Sequence, residues 1–374
     1  LKEHLAQLKP TINSLFDYFH QHPEISWEEY KTTEYIQTFL EEQGFHVQTF
    51  DDCTGLVAEV GSGDFCVGLR TDIDALWQEV NGTFKANHSC GHDSHMTMII
   101  GTMLLLKKIN FQNKGKLKFI FQPAEEKGTG ALKLIENHVV DDVDYLYGVH
   151  LRPVQELEDG YAVPAVYHGA AKFITGEIIG EDAHGARPHL GQNAIEIGAA
   201  IVSEIKGIHL NPMVPYSAKM TKFHAGGDSG NIIPGKASFS LDVRAQSNQV
   251  MDELTEKIEN IFKQISLLYG VDISYETKAS VAAAEVDLEA VEFMKQAIID
   301  TLGEKGLKEP IISSGGEDFH FYTLMRPNIK ATMLGLGCGL TPGLHHPNMT
   351  FNHEAMFSGI EILTRTIMNT FADN

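Results

Sequence analysis

Four short apolar runs in the first half of the chain, "LVAEV" (56–60), "FCVGLRT" (65–71), "KLKFIFQP" (116–123) and "YLYGVHL" (145–151), do most to limit the architectures open to it. Each has the length of a strand and little of the polar alternation that a half-exposed strand shows, so each reads as a strand covered on both faces. Helical spacing at 94–108 and 129–138 separates the later runs. Buried strands alternating with helices predict an α/β fold with a mainly parallel sheet. Two amphipathic helices are predicted upstream. One covers 2–20, where Leu5, Leu8, Ile12, Leu15, Phe16 and Phe19 recur on one face; the other covers 27–42, and Pro23 marks the break between them.

In such sheets ligands gather beyond the carboxyl ends of the strands. That is where ionisable residues follow the runs: Asp72 and Asp74 after "VGLRT", Glu125 and Glu126 after "FIFQP", His150 after "YLYGV". They are expected to meet along one edge. From residue 169 the texture changes to a strand ("KFITGEIIG"), a helix (192–208), two strands ("YSAKMTKFH", "KASFSLDVRA"), a helix (249–268) and a strand ("DISYE"). This is the order of a split βαβ, ferredoxin-like α+β unit. Residues 285–374 then return to a helix, a glycine-rich segment, a strand near 330–336 and a final helix. The predicted organisation is a catalytic domain of 1–168 and 284–374, interrupted by an inserted domain of 169–283.

Charge narrows the partners. Fifty acidic residues against 29 basic ones give a formal net charge of -21, which argues against nucleic acid and against an anionic membrane surface. The apolar run "MTMIIGTMLLL" is too short to span a bilayer. Four cysteines make no disulfide framework, and "LKEHLAQLKP" lacks the apolar core of a signal peptide, so a cytoplasmic location is the expectation.

The nonapeptide "HSCGHDSHM" (88–96) is either a polar helix cap or part of a metal site. Cys90 and His92 would diverge on a helix but can converge in the turn before one, which puts the helix start near Ser94 and lets its N-terminus favour a Cys90 thiolate. With Glu126, His150 and His345 of "GLHHPN", the chain offers five N, O and S donors, more than one cation with an open position uses; two divalent cations are the economical reading. Spacing alone does not choose between His345 and His346. His20, His22, His138, His209, His224 and His353 are expected to be surface or satisfied core histidines, and His95 is not expected to be a ligand. Glu125 and Glu126 follow a buried strand and Pro123, and adjacent carboxylates in a turn can diverge, one binding metal while the other acts as general base.

Taken together, "HPEISWEE", "LRTDIDAL", "CGHDSHM", "FQPAEEKGTGA", "GVHLRP", "GEDAHGARPH", "GGDSGNIIP", "DVRA", "GGEDF" and "LHHPN" resemble the M20 metallopeptidase family, most closely its aminoacylase and amidohydrolase branch of N-acyl amino acid deacetylases, hippurate hydrolases and auxin-conjugate hydrolases. The resemblance implies hydrolysis of N-acyl amino acids or short peptides at two metal ions, zinc or manganese with cobalt or nickel as alternatives. Cys90 would take the bridging position, His92, Glu126, His150 and His345 would complete the ligands, and Glu125 would be the base. The inserted domain would be a lid and homodimer interface. It would supply His184 and Asn231 to the oxyanion, and Arg244 would receive the substrate carboxylate. Two segments depart from the branch. "WQEVNGTFKANHS" is shorter and lacks a proline, which leaves substrate preference open, and "TGEIIGEDAHG" is less glycine-rich.

Two rival readings go with this one. "GGDSGN" contains the G-D-S-G of trypsin-like proteases and would make Ser229 a nucleophile, although a glycine-rich turn before a strand explains it as well. A non-catalytic metal- or peptide-binding protein on the same scaffold is the other.

Overall fold

The computed structural model describes residues 1–112 and 114–374, which form two compact units. The first comprises Leu1–Tyr167, Glu285–Ile312 and Asp318–Asn374; the second comprises His168–Ala284 and Ser313–Glu317. Ser313–Glu317, expected within the catalytic domain, thus clusters with the second unit.

A seven-stranded sheet runs through the first unit in the order His46–Thr49, Leu56–Gly61, Lys116–Gln122, Cys66–Asp72, Tyr145–Pro153, Lys330–Leu340, Ala162–Val163. The four strands from Lys116–Gln122 to Lys330–Leu340 are parallel, and the flanking pairs are antiparallel. The fold is therefore mixed α/β with a parallel centre. Every residue of Cys66–Asp72 and of Tyr145–Pro153 is buried, as their continuous apolar character requires. Parallel register places Asp72 beside Gln122, and His150 beside Gly335. The carboxyl ends therefore share one edge.

The helix His92–Lys108 is buried from His92 to Leu106, so it carries no polar stripe. It packs against the Cys66–Asp72 strand and against the helices Lys2–Gln21 and Ala355–Asp373. Lys2–Gln21 turns Leu5, Ile12, Leu15, Phe16 and Phe19 into the same core, each such side chain contributing roughly 1.5–3 kcal/mol on burial. No helix among the described residues is long and apolar enough to cross a membrane.

The second unit is a four-stranded antiparallel sheet in the order Tyr216–Ala225, Lys236–Ala245, Ala170–Ile179, Asp272–Val281. Its own core joins this sheet to the helices Ala194–Lys206 and Asn248–Tyr269. Both helices start at side-chain caps that accept orphan backbone N–H groups: Asn193 from Ile195, and Ser247 from Val250.

Candidate metal centre

Cys90, His92, Glu126, His150 and His345 come together at the shared strand edge of the first unit. Ligand atoms of Cys90, His92 and His150 lie within 4.8 Å of one another, and so do those of Cys90, Glu126 and His345. Cys90 belongs to both triads, with its Sγ 3.6 Å from His150 Nε2. His345 Nε2 lies 3.5 Å from Glu126 Oε1. The neighbouring His346 spends its Nδ1 accepting the N–H of Asn348 at 3.1 Å, so the geometry separates the two adjacent histidines.

Local backbone makes this convergence. The helix begins at His92 and not near Ser94, because Gly91 turns with φ 93° and Ser94 Oγ donates back to the Gly91 carbonyl at 2.6 Å. A side chain at Gly91 would sit in the left-handed region and press on Leu151. Downstream, Ala124 at φ 52° opens the short turn Glu125–Lys127. The chain then closes back so tightly that a Cβ on Gly130 would fall 1.6 Å from the Pro123 carbonyl oxygen.

The imidazoles are aimed from behind. His92 Nδ1 meets the Asp74 carbonyl at 2.9 Å and Asp74 Oδ1 at 3.2 Å, leaving Nε2 for the site. Asp74 Oδ2 accepts from Ser26 Oγ at 2.6 Å and from the Glu126 N–H at 3.1 Å, so one carboxylate registers two ligands. His150 Nδ1 bonds the Leu151 carbonyl at 2.7 Å. His95 is fully buried with both ring nitrogens engaged, Nδ1 with Asp72 Oδ1 at 2.8 Å and Nε2 with the Leu151 N–H at 3.0 Å. Asp72 in turn pairs with the buried Arg70 at 2.9 Å, and Arg70 with Asp318 at 2.7 Å.

Of the histidines expected to be satisfied, His20 bonds Asp93, His22 the Tyr18 carbonyl, and His138 Asp141.

The site fits cations on two observations. His92 Nε2 and Glu126 Oε1 are buried with no hydrogen-bond partner among the described residues, a costly condition for polar atoms. The electrostatics show the same need. Burial, with Glu126 and Glu125 adding to it and His92 opposing it, pushes the Cys90 thiol well above its ordinary value. Burial pushes Glu126 up to about 7, against the pull of His92 and with Asp74 adding to the rise. Burial likewise holds His150 well below its usual value. Burial thus disfavours the charged form of the thiol, the carboxylate and the His150 imidazole alike, so charge is held here only where an opposite charge or a ligand compensates it.

Glu125 is buried, its Oε2 lies 3.8 Å from His92 Nε2, and its carboxylate lies within 4.8 Å of ligand atoms of His92 and Glu126, outside the two triads built on Cys90. The turn that carries it is held by Glu29, whose Oε1 accepts the Ala124 N–H at 2.9 Å and whose Oε2 accepts from Thr54 at 2.6 Å. Burial raises the Glu29 pKa from 4.5 to about 7. A folded pKa above the unfolded one means that stability is fully present below pH 4.5 and is lost as pH rises through 7. Glu29→Gln should therefore gain on the wild type by roughly 3 kcal/mol between pH 4.5 and 8, read from denaturant melts at the two pH values; parallel curves would remove Glu29 as the source.

In the second unit, His184 pairs in register with Ile232, and the Gly185 N–H donates to the Asn231 carbonyl at 2.7 Å, so the two residues predicted to act on the oxyanion are neighbours, both exposed. Arg244 is engaged with Asp242 at 2.8 Å and 3.2 Å, and its Nη1 donates to the Ser314 carbonyl. Ser229 lies in an exposed loop.

Residues 68–369 match the family described as peptidase family M20/M25/M40. The chain belongs to this family. It is 30% identical over 97% of its length to a probable hydrolase of Synechocystis, sll0100, covering 96% of that protein. It is 28% identical to the N-acetyl-L-cysteine deacetylase of Bacillus subtilis, over 94% of this chain and 86% of the relative. A dinuclear metal-binding M20 peptidase of Bacillus subtilis superposes over 100% of the chain and 99% of its own with TM-score 0.80 at 25% identity. This M20 chain is thus a hydrolase with a metal-ligand cluster, and the non-catalytic reading falls away.

Proposed function

We propose that the M20 chain described above hydrolyses the amide bond of small N-acyl amino acids or short peptides, with two divalent cations held by Cys90, His92, Glu126, His150 and His345. The observation that carries this reading is that the Cys90 sulfur is common to two ligand triads whose inward atoms include the orphaned His92 Nε2 and Glu126 Oε1. The deacetylase relative supports the substrate class, and the dinuclear neighbour supports the cation count. Thiolate and imidazole favour zinc; manganese, cobalt and nickel also match a mixed N, O and S set.

Cations bound there would supply Lewis acidity, which acidifies water and polarises a carbonyl oxygen. The chain's own groups do the rest. Glu125 takes the proton of the attacking water and delivers it to the departing nitrogen, which cannot leave as an amide anion. His92 and His150 keep their Nε2 lone pairs directed inward because their Nδ1 atoms are hydrogen-bonded elsewhere. His184 and Asn231 are the proposed donors to the tetrahedral oxyanion, carried on the second unit as a lid that also forms a homodimer. Arg244, held by Asp242, is the proposed receiver of the substrate carboxylate. A cytoplasmic location accords with four unpaired cysteines.

The test is a panel of N-acetyl and N-benzoyl amino acids, assayed before and after phenanthroline treatment and after addition of zinc or manganese. Hydrolysis of at least one member, lost to the chelator and restored by metal, is expected. Chelator-resistant hydrolysis stopped by a serine-directed reagent would return the reaction to Ser229.

A further inference from the structure

His345 poses a positioning problem that packing does not solve. Its side chain is 55% exposed, and its backbone sits at φ 64°, a region that a non-glycine residue holds only where its surroundings over-determine it. Those surroundings include the segment 77–89, which follows the "IDAL" motif. Leu76–Val80 and Thr83–Asn87 form an antiparallel hairpin across Asn81 and Gly82, both at positive φ. Leu76 opposes Asn87 and Gln78 opposes Lys85, so Gln78 and Asn87 project from the same face, while Trp77 and Glu79 project from the other.

On that face the two amides form a closed chain of donors. Gln78 Nε2 donates to the His345 carbonyl at 3.0 Å. Asn87 Nδ2 donates to Gln78 Oε1 at 2.7 Å and to the Pro347 carbonyl at 3.1 Å. Each bond fixes which end of the next amide carries oxygen, so the arrangement has one self-consistent orientation. The His345 N–H completes it by donating to the Ser89 carbonyl at 2.6 Å, one residue before Cys90. The peptide N–H of His345 is thereby tied to the segment that leads into the cysteine, and its carbonyl to the first strand of the hairpin.

We infer that Gln78 and Asn87 are positioning residues for His345, and that the hairpin is a clamp that sets this imidazole beside Glu126 and Cys90. The inference rests on the two-cation reading and adds to it that the hairpin serves one ligand triad and not the other. Loosening the clamp weakens the position made by Cys90, Glu126 and His345 and spares the one made by Cys90, His92 and His150.

The test is zinc titration of the apo full-length protein followed by calorimetry, with thermal melts alongside. Wild-type protein is expected to take up two equivalents. Gln78→Ala/Asn87→Ala should keep the first at wild-type affinity and weaken the second tenfold or more; His345→Ala should weaken the same equivalent. Combining all three substitutions should cost no more than His345→Ala alone, because the amides act through the imidazole. Lys85→Ala, on the same face without a bond to the loop, should bind like the wild type. If the double variant melts early, Gln78→Ala alone carries the same expectation. Two equivalents at wild-type affinity in the double variant, or a loss that adds in full to that of His345→Ala, would overturn the clamp. Wild-type protein that binds no zinc would overturn the cation reading itself, before any variant is compared.

Discussion

Glu125→Gln protein is expected to keep its melting temperature and its full complement of cations while turnover falls about a thousandfold or more, the range set by removal of a positioned acid–base group. The reasoning is geometric. Glu125 lies beside the ligand cluster, 3.8 Å from His92 Nε2, yet belongs to neither triad built on Cys90. An amide in its place keeps the shape of the turn Glu125–Lys127 but can neither take a proton from water nor pass one to a leaving amine. Elemental analysis and steady-state kinetics on one preparation separate the outcomes. Retained turnover would free Glu125 of the base role, and lost metal would make it a ligand.

Cys90→Ala should have the opposite signature: both cations lost or severely weakened, and hydrolysis reduced to background. Because its sulfur is common to the two triads, no other single ligand should cost as much metal. His92→Ala, which touches only the His150 triad of the two that share Cys90, should leave one equivalent in place. Apo protein reconstituted with zinc and analysed by mass spectrometry reads the difference. A Cys90→Ala protein that still holds two equivalents would contradict the sharing, whatever its activity.

Much of this centre could be read from the sequence because parallel strands of buried character must end together. Once "FCVGLRT", "KLKFIFQP" and "YLYGVHL" were strands, Asp74, Glu126 and His150 had to lie on one edge, and they do. What spacing could not show was division of labour among neighbours. Asp74 and His95 stand as close to the motif as the ligands do, but their polar atoms are consumed by Ser26, Glu126, Asp72 and Leu151, a matter of side-chain direction in the folded chain. The helix starts at His92, two residues before the expected Ser94, because the left-handed Gly91 alone makes the turn that was expected to include His92. The hairpin did have a signal. "NG" between alternating residues marks a tight β-turn. Spacing alone does not choose between His345 and His346; the family resemblance implies His345, and the fold adds that His346 Nδ1 is taken by the Asn348 N–H.

The most direct measurement is anomalous diffraction at the zinc edge from crystals of the zinc-reconstituted protein. Two peaks are expected, each within about 2.3 Å of the Cys90 sulfur, one also bonded to His92 and His150 and the other to Glu126 and His345. A single peak, or peaks that do not include Cys90 in their coordination, would contradict the account.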